Sequence, residues 1–201
     1  MKRLVLAVVA SAIAAACSSS TPAEPGPIAS GSVSATADKP STGVPRNWVA
    51  HLVGDSEVPA RETPAQGQVK YQLSADGTEL RWQLISSNID NVFMAHIHRG
   101  PVTGTGGIVL WLYGTPPSGN PPGPGSGPQN GVLSSGVAHA SDLVNALAGQ
   151  PLSALIAEMD AGNTYTNVHT NDGVGSTNTG PGDFPGGEIR GQNRPAGHDN
   201  E

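Results

Sequence analysis

His96 and His98 stand two residues apart in the stretch Ala95-His96-Ile97-His98. In an extended strand successive side chains alternate, so both imidazoles leave one face while Ala95 and Ile97 leave the other. His169 follows Val168 in a second strand-like stretch, with Tyr165 and Asn167 on the histidine side. Neutral imidazoles on neighbouring strands suit a copper or zinc ion, which they bind at about 2.0–2.1 Å. Glu188 and Arg190 flank Ile189 in the same manner. If these strands are neighbours, His96, His98, His169, Glu188 and Arg190 form one polar cluster on the outer face of the sheet. The loops 100–107 and 171–187 are then placed to cover it.

A structural role competes with the metal. The histidines would hydrogen-bond to Glu188 and to loop backbone while Arg190 pairs with Glu188, because buried polar groups require such partners. A directly catalytic histidine is a third reading. The residues alone leave all three open, with the structural network ranked first. Weaker signals point to turns. Gly54-Asp55-Ser56 lacks the α/β order that a nucleophile motif needs. Asp160, Asn163, Asn171 and Asp172 lack the alternating oxygen ligands of a calcium loop.

The elements that must position the cluster are short strands. Trp48, Ala50 and Leu52 alternate with Val49, His51 and Val53. Val69, Tyr71 and Leu73 alternate with Lys70 and Gln72, and Leu80, Trp82 and Leu84 with Arg81 and Gln83. Asp76-Gly77 between them is a hairpin signal. Residues 94–98, 107–113, 164–170 and 188–192 complete the strands. Leu152, Leu155, Ile156 and Met159 share one helical face, which Gly162 is placed to end. Residues 115–130 form a Pro/Gly-rich loop, because proline removes ladder donors and glycine adds entropy. The pattern predicts an all-β fold, a β-sandwich or barrel with one short helical insertion.

The chain has 201 residues and a formal net charge of −6, so it lacks the basic surface that drives binding to nucleic acid. With only one cysteine, Cys17, it cannot form an intrachain disulfide. Residues 1–16 read as a signal peptide: Lys2 and Arg3, then an apolar run, then Ala14-Ala15-Ala16. Cys17 ends the small residues as in a lipobox, and lipidation there would anchor the protein in a membrane. Residues 17–46 hold almost no bulky apolar side chains and are expected to be a disordered tether. Residues 194–201 read as a polar tail.

Several stretches resemble one family. They are His51-Leu52-Val53-Gly54-Asp55-Ser56-Glu57-Val58-Pro59, Leu73-Ser74-Ala75-Asp76-Gly77-Thr78-Glu79-Leu80, Ala95-His96-Ile97-His98-Arg99-Gly100 followed by Gly106-Gly107-Ile108-Val109, Ala161-Gly162-Asn163-Thr164-Tyr165-Thr166-Asn167-Val168-His169-Thr170, and Gly186-Gly187-Glu188-Ile189-Arg190-Gly191-Gln192. In this order over residues 47–193 they resemble the CHRD (chordin-like) family. The resemblance implies an extracellular immunoglobulin-like β-sandwich or barrel and no settled activity. More distantly, the histidine pattern is similar to copper–zinc superoxide dismutase, whose copper site uses a His-x-His strand and a later Val-His strand. That likeness implies His96, His98 and His169 as copper ligands. The zinc-site loop and the bridging fourth imidazole have no counterpart, and His51 and His139 lie in other motifs.

The function expected from these features is a non-enzymatic binding or structural module, lipid-anchored at the outer membrane or cell surface, with a protein partner there. The alternative is an envelope protein binding copper or zinc through a superoxide-dismutase-like histidine site.

Overall fold

The computed structural model describes residues 46–114 and 123–197. The signal-like segment, Cys17 and nearly all of the tether lie outside the described residues, as do the first half of the Pro/Gly-rich loop and the end of the tail. Among the described residues, nine strands run β1 (Asn47–Val53), β2 (Gln66–Leu73), β3 (Leu80–Asp90), β4 (Val92–Arg99), β5 (Gly107–Tyr113), β6 (Pro128–Ala138), β7 (Thr164–Thr170), β8 (Ile189–Gln192) and β9 (Arg194–Pro195). Among the same residues one α-helix, α1 (Leu152–Asp160), stands between β6 and β7. The strands form a single antiparallel sheet in the order β5-β4-β7-β8-β1-β2-β3-β6, with β9 added beside β1. β5 and β6, its two ends, approach each other, so the sheet curls into a nearly closed barrel. The expected all-β fold with one helix is what forms.

Alternation builds the interior. Trp48 and Leu52 of β1, Val69 of β2, Leu84 of β3, Ile97 of β4, Val168 of β7 and Ile189 of β8 are fully buried together. The apolar face of α1, with Leu152, Leu155, Ile156 and Met159, packs into the same core. Its turn ends at Gly162, whose φ of 68° is the left-handed conformation that glycine adopts at little cost. Trp48 Nε1 donates to Asp160 Oδ1 at 3.1 Å, tying the end of α1 to β1. Inside the barrel the Tyr71 hydroxyl and Thr166 Oγ1 share a hydrogen bond of 2.7 Å, and Thr166 donates to Asn193 Oδ1.

Two boundaries differ from expectation. β6 begins at Pro128, inside the segment expected to be loop through residue 130. Pro128 is the first residue of its strand, a position where the missing N–H costs little. Arg194 and Pro195, expected in the polar tail, pair with Val49 and Trp48 of β1 as β9.

β5 hydrogen-bonds to β4 on one side only. Along its other side the segment after β6 crosses it: Val144 N–H donates to the Val109 carbonyl at 3.0 Å, and Asn145 Nδ2 to the Ile108 carbonyl at 3.0 Å.

Candidate metal centre

The site lies where β4, β7 and β8 run side by side, on the face turned away from the barrel interior. Register sets its rows. His96 lies opposite Asn167, which lies opposite Arg190, and His98 lies opposite Tyr165, which lies opposite Gln192. His169 is one step further along β7. The three histidines can each offer a ring nitrogen such that all three atoms lie within 4.8 Å of one another. One ion bonded at about 2.1 Å spans at most about 4.2 Å between ligand nitrogens. A pair at the 4.8 Å limit would therefore close by at least about 0.6 Å, and by about 1.4 Å to reach the spacing of a tetrahedral site.

The outer face is not an exposed face. His96 is 0% and His169 4% exposed, while His98 keeps partial contact with solvent. The loops predicted to cover the cluster do so. His98 Nδ1 donates to the Gly106 carbonyl at 2.7 Å, and His169 Nδ1 to the Pro185 carbonyl at 2.8 Å. A carbonyl can only accept, so both rings carry their proton on Nδ1 and present a bare Nε2 lone pair. Ligating histidines are oriented in this way, with the outward ring nitrogen held by a backbone carbonyl. His98 Nε2 lies 3.0 Å from His96 Nδ1. In the metal-free protein His96 donates across that gap, with Asn167 Oδ1 at 3.4 Å from the same nitrogen. The remaining nitrogens, His96 Nε2 and His169 Nε2, are buried without a hydrogen-bond partner.

Burial also fixes the charge state. Desolvation, reinforced by repulsion from neighbouring imidazoles, lowers His96 to about 2. His169 falls to about 3, again mainly from burial. His98 is lowered too, with desolvation the largest cause. All three rings are thus neutral near pH 7, the form that binds a metal.

Aromatic rings wall the site. Trp111 of β5 meets His96 edge-on at 4.6 Å, and Tyr165 stacks on His98 at 4.8 Å with planes 2° apart. The Arg190 guanidinium lies 3.5 Å from the Tyr165 ring centroid. Gly106 must be glycine at the turn from β4 to β5, because a Cβ there would land in the Arg99 carbonyl.

Glu188 and Arg190 depart from the expected cluster. They do not pair, and Glu188 does not bond a histidine. Its carboxylate accepts from Thr63 Oγ1 at 2.5 Å, Thr170 Oγ1 at 2.6 Å and the Gly182 amide at 2.9 Å. It serves the turn before β2 and the loop after β7. Arg190 donates to the carbonyls of Pro101, Val102 and Gly104, clamping the loop between β4 and β5 over the site. The carboxyl beside Arg190 is Glu57, buried after β1 and packed against Gly187. Burial raises Glu57 to about 7, against the pull of Arg190 and Arg61 and a hydrogen bond from Asn167. Asn167 thereby links Glu57 to His96. Glu57 stands in a family-like stretch, but spacing alone did not mark it.

A family model for the CHRD domain matches residues 48–193. No curated protein matches the chain significantly. No solved structure does either. The matched span takes in β1 from Trp48 through β8, and the chain belongs to the CHRD domain family.

Proposed function

From the premise that this is a CHRD-family protein, we propose that its domain is a metal-binding module holding one copper or zinc ion on His96, His98 and His169. The observation that carries the reading is the pair of buried ring nitrogens without partners, His96 Nε2 and His169 Nε2, in a cluster where each of the three rings brings one nitrogen within 4.8 Å of the others. A purely structural network satisfies His98 through Gly106 but leaves those two nitrogens unpaired, which is costly in a buried site. The metal reading, ranked second on residues alone, is therefore placed first. The alternative is a metal-free binding module for a surface protein, and the loop clamped by Arg190 is compatible with it.

The segment before the domain favours display at a membrane. The signal-like residues 1–16, the lone Cys17 and the Ser/Pro-rich residues after it support an exported lipoprotein at the outer membrane or cell surface. The module would act as a binding protein and not as an enzyme. Metal analysis of protein purified without added metal tests the central claim. We expect one copper or zinc per chain, lost in His98→Ala, and a melting temperature that falls on chelation. Protein free of both metals, with stability indifferent to added copper, zinc or chelator, would refute it.

A further inference from the structure

We propose that Met94 supplies a fourth, thioether ligand to this site and fits it to monovalent copper. The inference rests on the three-histidine reading above. Met94 precedes His96 by two residues on β4, so its side chain leaves the same face as His96 and His98. Across the β4–β7 pair its register partner is His169. Directly opposed residues of antiparallel strands hold their Cβ atoms about 4.5–5.5 Å apart, within reach of a flexible methionine. Met94 is half-buried and is absent from the residues packed against the barrel interior. The sulfur thus belongs to the site side of the sheet. A register shift between Val92 and Met94 lets the strand bulge at Phe93, whose ring stands edge-on to His169 at 6.4 Å.

The ligand set selects the ion's charge. Three imidazoles and a thioether are all neutral. The cluster of His96, His98 and His169 includes no Asp or Glu. No ligand would offset the ion's charge in this pocket, which is walled by Trp111, Phe93 and Tyr165. Burying two uncompensated charges costs far more than burying one. Soft sulfur adds to the preference, since thioethers favour Cu(I) over Zn(II). Glu188, the fully buried acid nearby in sequence, is committed to Thr63, Thr170 and the Gly182 amide.

The test compares the full chain with its Met94→Leu variant. Cu(I) affinity is measured anaerobically by competition with bathocuproine disulfonate, and Zn(II) affinity by competition with a zinc-responsive dye. Copper-edge X-ray absorption is recorded on both Cu(I)-loaded proteins. We expect Met94→Leu to weaken Cu(I) on the order of tenfold or more, the scale set by single residues around metal sites. Zn(II) affinity should be unchanged, and a sulfur scatterer should be present only in the unsubstituted chain. Equal Cu(I) affinities without sulfur scattering would overturn the proposal and leave the three-histidine site standing. A parallel loss of both metals would overturn it too, since Met94 would then only support the fold. Failure of the unsubstituted chain to bind either metal would remove the underlying reading instead.

Discussion

Acid should destabilise the metal-free domain, and Glu57 should partly hide the effect. His96 and His169 are held neutral, with folded values of about 2 and about 3. In the unfolded chain each takes a proton below about 6.5. The unfolded state therefore binds more protons, and stability is lost as pH falls through 6.5. Between pH 7.5 and pH 5 each ring removes about 2 kcal/mol, so together they remove about 4 kcal/mol. His98 is lowered as well and adds in the same direction. Glu57 has the opposite sign. Its folded value of about 7 lies above the unfolded 4.5, so the fold gains stability as pH falls through 7 toward 4.5. Over the same interval that returns about 2 kcal/mol. The net loss is about 2 kcal/mol, or about 6 °C in melting temperature at about 3 °C per kcal/mol for a domain this size. Glu57→Gln removes the returning part, and its loss should approach 4 kcal/mol, about 12 °C. Thermal melts in chelator at pH 7.5 and pH 5, on both proteins, provide the measurement. Comparing each protein with itself cancels the fixed effect of the substitution on packing. Equal drops in the two proteins would show that Glu57 does not change its protonation in the fold. No drop in either would show that the imidazoles accept protons without unfolding, which contradicts the enclosed geometry.

Two further outcomes follow from the cover of the site. Gly106→Ala places a methyl against the Arg99 carbonyl, so it should cost about 2 kcal/mol and weaken metal binding by displacing the carbonyl that orients His98; unchanged unfolding in denaturant would show that the turn has room. Arg190→Met keeps an unbranched apolar side chain but removes the guanidinium from Tyr165 and from the carbonyls of Pro101, Val102 and Gly104. It should cost about 3 kcal/mol and speed amide exchange in residues 102–106, and exchange there that stays at the original rate would refute the clamp.

The strands were legible wherever one face is apolar and the other polar. Trp48-Val49-Ala50 and Val69-Lys70-Tyr71 show period two openly, and both became barrel strands. β6 was harder to read, because its start is proline and Gly131 sits within it at a φ of 104°. Its pairing with β3 carries register shifts that accommodate such residues, and that compensation belongs to the partner strand. The three histidines and their shared face could be read from spacing. Their depth could not, since period two reports which face a residue takes and not what covers that face. Two loops supply the cover, through single carbonyls of Gly106 and Pro185. The pairing of Glu188 with Arg190 failed for a related reason. They are two apart and share a side of the strand, but each found a partner on a loop distant in sequence, Thr63 for Glu188 and Pro101 for Arg190.

The edge of β5 has a bearing on crowding. A barrel that does not quite close leaves strand edges able to recruit a second molecule by backbone pairing. Here the chain lays Val144 and Asn145 along that edge and occupies the carbonyls of Val109 and Ile108. These positions are withdrawn from strand-to-strand polymerisation. Where many copies stand close together, that self-capping favours separate domains over a growing intermolecular sheet.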